Sequence, residues 1–98
     1  MNEPTFQITL SCNGVPEKEG RVGAVDIVEE FSHRPWHHNV MCEWEGGRLV
    51  LRAENDFDSD GRALLDEFSD AVCACIAVGF EIEINVVSVV RSGEKKDR

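Results

Sequence analysis

Residues 38–54 read HNVMCEWEGGRLVLRAE, with Gly46 and Gly47 between two alternating runs. A Gly-Gly pair accommodates the positive φ angles of a two-residue hairpin turn. With that loop, Glu45 faces Arg48, Trp44 faces Leu49, Glu43 faces Val50 and Cys42 faces Leu51. Val40, Cys42, Trp44, Leu49, Leu51 and Ala53 then share an inward face. Met41, Glu43, Glu45, Arg48, Val50 and Arg52 share the outward one. One register satisfies both strands and sets opposite charges across the turn.

Working outward, residues 5–12 alternate in the same way. Phe6, Ile8, Leu10 and Cys12 are interleaved with Gln7, Thr9 and Ser11, the period of a half-buried strand. Asn13-Gly14 and Pro16 end it, and residues 17–20 read as a polar loop. Residues 21–33 read as a helix whose apolar stripe is Val22, Val25, Val28 and Phe31, widened by Ile27. Pro35 stops it. Beyond the hairpin, residues 61–78 carry Leu64, Leu65, Phe68, Ala71, Val72, Cys75 and Ile76 on one broad helical stripe, and Gly79 is a C-terminal stop. Residues 81–91 form a last strand. Ile82, Ile84, Val86 and Val90 face inward with Ser88 as an exception, and Val87 and Val89 face outward with the charges. Residues 92–98 read as a solvated tail of a single domain.

The order β-α-β-β-α-β predicts an α+β two-layer sandwich of the ferredoxin-like type. A four-stranded antiparallel sheet is covered on one face by two helices, with the first and third strands central. Leu10, Leu51, Phe68, Val72 and Ile84 should meet in its core. The alternative is another two-layer α+β topology in which residues 21–31 form a strand.

Ten Lys and Arg against 19 Asp and Glu give a net charge of −9 in 98 residues. Such a field opposes nucleic-acid binding. No apolar run reaches the roughly 18 residues of a membrane span. The start, MNEPTFQITL, lacks the basic and apolar regions of a signal peptide. Cys12, Cys42, Cys73 and Cys75 are therefore expected as reduced thiols in the cytoplasm, and none forms a C-x-x-C pair.

Two clusters invite chemistry. Asp56, Asp58, Asp60 and Gly61, followed by Glu67, match D-x-D-x-D-G-x5-E, the ligand spacing of a calcium loop. A hard cation would take those carboxylates together with the Arg62 carbonyl. The helical stripe, however, wants a helix from about residue 62. Glu67 would then point away, and Asp58, Ser59 or Asp60 would cap the helix start. The second cluster, His33, His37, His38 and Cys42, offers imidazole and thiolate ligands for zinc or copper. Its spacing is poor: His37 and His38 would point to opposite faces of a strand. Trp36 reads as an anchor of the helix end.

No nucleophile elbow, P-loop or dinucleotide fingerprint is present. The expectation is a non-enzymatic protein-interaction or regulatory module without a cofactor, acting as a homodimer. Val87, Val89, Met41 and Val50 on the open sheet face would form the interface, or else the helix face carrying Cys73. The acidic charge also suits a basic protein partner. The alternative is a small-ligand or metal-binding domain with calcium at residues 56–67.

Overall fold

The computed structural model describes residues 5–76 and 81–92. Its elements are β1 (Thr5–Asn13), α1 (Glu17–Phe31), β2 (His38–Glu45), β3 (Arg48–Asn55), α2 (Arg62–Cys75) and β4 (Glu83–Ser92). The β2–β3 hairpin has the expected register, with Glu45 opposite Arg48, Trp44 opposite Leu49 and Cys42 opposite Leu51. Gly46 and Gly47 take φ angles of 58° and 84°, which the tight turn requires. The sheet order is β2-β3-β1-β4 and every neighbouring pair is antiparallel. This is the ferredoxin-like arrangement, with β1 and β3 central.

The core lies between the sheet and the helices. Opposite β1 residues Ile8, Leu10 and Cys12 stand Ala53, Leu51 and Leu49 of β3. Phe68, Val72 and Leu64 of α2 and Ile27 and Phe31 of α1 close over them, with Ile84 and Val86 packed at the side. Leu10, Leu51, Phe68, Val72 and Ile84 thus belong to one cluster.

Helix α1 departs from the expected stripe. It begins at Glu17, where Pro16 precedes it in an extended conformation and the Gly20 N–H already donates to the Pro16 carbonyl at 2.8 Å. It buries Gly20, Gly23, Ala24, Ile27 and Phe31. Val22 and Val25 instead stand 62% and 71% exposed, and Val28 is exposed beside them. The reason is closeness. A Cβ at Gly20 would collide with the Trp44 ring, and one at Gly23 would lie 2.6 Å from Ile76 Cγ1. The missing side chains let the helix backbone settle onto β2 and α2, and that contact displaces the valines from the core.

Strand β4 departs as well. Its pairing with β1 shifts between Thr9, opposite Ser88, and Leu10, opposite Val86, so that Val87 is the extra residue of a β-bulge. The bulge reverses the side-chain parity beyond it. Val89 turns toward the core and packs against it, while Val90 turns out. Ser88 is therefore no exception but lies on the open face. Val50, expected to be outward and exposed, is only 3% exposed. Glu45 of β2 and Arg52 of β3 meet diagonally across the two strands with Arg52 Nη1 2.7 Å from Glu45 Oε2, a bidentate pair that spans the position of Val50. Glu45 thus uses Arg52, not the facing Arg48. That pairing holds the Glu45 carboxyl below its ordinary range. Helix α2 ends at Cys75, with Ile76 already extended, so it is shorter than the expected 61–78. Gly79 lies outside the described residues, as do 93–98 of the expected tail; Ser92 closes β4.

Gly20→Ala tests the close approach. Helix propensity alone would favour alanine by about 1 kcal/mol. Overpacking against Trp44 costs about 1–3 kcal/mol. We expect a net loss of about 1 kcal/mol in urea unfolding; a gain in stability would show that α1 does not need the glycine.

Candidate functional site

The polar side chains gather at one end of the sandwich, where α1 runs into β2 and β3 runs into α2. Asn55, the last residue of β3, is fully buried. Its Oδ1 accepts the Phe57 N–H at 3.2 Å and the Asp58 N–H at 2.9 Å, an Asx-type turn that bends the chain after the strand. With the oxygen so occupied, the amide nitrogen Nδ2 faces His37 Nδ1 at 3.2 Å. An amide nitrogen donates, so His37 Nδ1 accepts and the neutral ring carries its hydrogen on Nε2. That nitrogen is 3.2 Å from Glu67 Oε1, but the two atoms are not aligned as a hydrogen bond and their contact is electrostatic. The same Glu67 oxygen is 2.9 Å from Arg34 Nε, and Glu67 Oε2 accepts from Trp36 Nε1 at 3.4 Å. Arg34 also reaches the Glu30 carbonyl at 3.2 Å and lies 5.1 Å from the Phe31 ring centroid.

A histidine held by an amide beside a carboxylate has the parts of an acid–base centre. Its surroundings oppose that use. The His37 side chain has no exposed surface, and the rings of Phe31, Phe57 and Trp36 lie 5.7, 5.9 and 6.0 Å from it. The network joins the end of α1 and the start of β2 to α2. Each buried hydrogen bond in it contributes about 1 kcal/mol. His37 lies in the loop, not in a strand, and it is the buried anchor; Trp36, expected in that role, is about half exposed. His33 and His38 are exposed, and Cys42 is buried on β2, so the four possible ligands do not converge.

The calcium-type residues are also divided. Asp58 is buried, and its two oxygens accept the N–H groups of Ala63 at 3.2 Å and Leu64 at 2.8 Å. This caps the first turn of α2. Asp60 Oδ1 accepts the Arg62 N–H at 3.0 Å. Because the helix begins at Arg62, Glu67 is turned toward Arg34 and His37 rather than toward Asp56, Asp58 and Asp60. Among the described residues no group of three or more acidic, histidine or cysteine side chains is arranged to hold a metal ion.

The four cysteines are free. Burial pushes the thiol of Cys12 up to about 11 and that of Cys42 up to about 12, each helped by a neighbouring cysteine. Cys75 is raised for the same first reason. Cys73 is exposed on α2.

What remains is apolar surface. Of the five residues expected at an interface, Met41, Val87 and Cys73 are exposed, whereas Val50 is covered and Val89 faces the core. The sequence reading missed Val22 and Val25 on α1, the most exposed large apolar side chains among the described residues. It also missed Asn55, whose signal is an Asx residue placed between a strand end and a helix start. Comparison of the chain with protein-family models, curated proteins and solved structures found no match.

Two measurements check this geometry. Asp58→Ala should lower stability by about 1–2 kcal/mol through loss of the cap. Asp56→Ala should stay within about 0.5 kcal/mol. Both hold with calcium or with chelator in urea unfolding; stabilisation by calcium that Asp56→Ala abolishes would restore the ion-binding loop. The buried thiols of Cys12 and Cys42 give stability an alkaline dependence. Their folded pKa values exceed the ordinary 9.0, so the folded protein retains protons that the unfolded chain releases. Stability is therefore full below about pH 9 and falls as pH climbs toward the folded values, by up to about 1.4 kcal/mol per pH unit for each thiol. Cys42→Ala should flatten the fall in urea midpoint between pH 9 and 10.5.

Proposed function

We propose that the chain is a small acidic, non-enzymatic protein-interaction module that works as a homodimer in the cytoplasm. The observation that carries this reading is the outward valine surface of α1. A solitary helix packed on a sheet ordinarily turns its large apolar residues inward. Here Gly20, Gly23 and Ala24 take inward positions beside Ile27 and Phe31, and Val22 and Val25 are left 62% and 71% exposed. Adjacent exposed apolar residues mark interfaces, whereas scattered ones do not. The sealed position of His37 supports a binding role over a catalytic one. Four free thiols suit a reducing compartment. Among the described residues no helix is long and apolar enough to cross a membrane.

A basic protein partner is the second reading. Trp36 and Phe57 project on either side of His37, both about half exposed, next to Glu67 and Asp56. Aromatic side chains held rigidly at a surface are common anchors of protein complexes. In a chain of net charge −9 they would suit a partner presenting Arg or Lys.

Sedimentation velocity of the full chain over roughly 1–200 µM, the micromolar scale of weak association, tests the homodimer. We expect the mean mass to rise with concentration from the 11.0 kDa of one chain toward twice that value. A single 11.0 kDa species throughout would remove the reading.

A further inference from the structure

We propose that two copies of this chain pair through α1, antiparallel, about a twofold axis passing between Val22 and Val25. The inference rests on the self-association proposed above and names its surface and its pairing. The outward strip of α1 is Lys18, Val22, Val25 and Glu29, opposite the buried strip of Gly20, Gly23, Ala24, Ile27 and Phe31. The outward spacing of four, three and four residues is that of a helix–helix seam. All four side chains are exposed.

The strip is self-complementary. Read from either end it runs charge, valine, valine, opposite charge. In the antiparallel arrangement Val22 meets Val25 of the second copy, and Lys18 meets its Glu29. Symmetry repeats each contact. A parallel arrangement would set Lys18 beside Lys18 and Glu29 beside Glu29. An unrelated partner requires no such palindrome, whereas a second copy does. On one flank Arg21 would meet Val28, its guanidinium already tied to Glu17 Oε2 at 2.7 Å. On the other flank Glu19 would meet Asp26, a like-charge contact at the wet rim that salt screens. That contact and the charge of −9 on each chain oppose association. A single helix of 15 residues is about 22 Å long, so the contact is small beside the roughly 1,200–2,000 Å² of a standard interface. The pairing is accordingly weak, in the micromolar range.

Both sheet edges are less suited to a second copy. The bulge at Val87 interrupts β4, and the β2 pairing is irregular between His38 and Met41. Such interruptions protect an edge from further strand pairing.

The test uses the full chain, sedimentation velocity and four variants. Val25→Glu should leave a monomer with an unchanged melting temperature. Lys18→Glu and Glu29→Lys should each weaken the dimer about tenfold, since each turns two attractions into two repulsions. The double variant Lys18→Glu/Glu29→Lys restores opposite charges across the axis and should return the dissociation constant to within about threefold of the original, well inside a single lost tenfold step. If the natural chain dimerises but Val25→Glu does too, α1 is not the surface and self-association stands by other faces. If Val25→Glu abolishes the dimer but the double variant does not recover, the surface is right and the antiparallel pairing is overturned. A natural chain that stays monomeric removes the inference together with the homodimer.

Discussion

The contact between the glycine face of α1 and the structure beneath it governs the rest of the molecule. Gly20 lies against the Trp44 ring and Gly23 against Ile76. Trp44 is at the turn end of the β2–β3 hairpin, and Ile76 is the residue at which α2 gives way to extended chain. The same helix face thus fixes the height of α1 above the sheet and its distance from α2. Close packing of backbones depends on small residues, because interiors leave no room for unused methyl groups. With Gly20, Gly23 and Ala24 taking inward positions beside Ile27 and Phe31, helical periodicity sends Val22 and Val25 out. The exposed valines are therefore not an isolated feature of the surface; they follow from how the core is closed.

At the other end of α1 the chain is held by polar chemistry instead. Asn55 lies between a strand and a helix and serves three donors and acceptors in its immediate neighbourhood: two backbone N–H groups and the His37 ring. The two backbone bonds fix which way the amide points, and the amide then fixes the histidine tautomer. Asp58, one turn further, satisfies two of the free N–H groups of α2. Glu67 collects Arg34, Trp36 and His37 from the segment that follows α1. A buried polar group is costly when left unpaired, so this end tolerates little rearrangement. The packing of α1 is apolar and close at its start, and ionic and hydrogen-bonded at its end.

The hairpin was legible in the sequence because alternation and the Gly-Gly turn agreed on one register, and the order of elements then favoured the ferredoxin-like topology over the alternative with a strand at residues 21–31. Two features escaped, each for a definite reason. Periodicity ranks residues by hydrophobicity, whereas α1 is positioned by volume: Val22 and Val25 score as core, yet Gly20 and Gly23 occupy it. Strand alternation assumes an unbroken period of two, and the bulge at Val87 inserts one residue, which moved Val89 inward and Val90 outward. Ser88 signalled that shift, since a lone polar residue in an apolar row marks a change of parity. At the polar end, the conflict between the D-x-D-x-D-G spacing and the helix start at Arg62 was visible beforehand. What the sequence could not supply was the destination of Glu67, because Arg34 and His37 come from a separate element and meet it only through the tertiary fold.

The same two departures bear on where this domain can meet another. An open antiparallel sheet has two edges, and an edge with unpaired backbone groups recruits strands. Here β4 is bulged at Val87, and β2 is irregular at Asn39, which has a left-handed φ of 53° and donates its amide to Glu54 at 3.2 Å. On the open face Val50 is covered, and the bulge exchanges Val89, turned inward, for Val90, turned outward. Met41 and Val90 remain exposed there, beside Arg52 and Glu54, and Val87 is exposed at the bulge. On helix α1 two neighbouring valines are more exposed than those side chains and are framed by one cation and one anion on the same strip. The close seating of Gly20 and Gly23 that fixes α1 on the sheet leaves Val22 and Val25 standing 62% and 71% exposed.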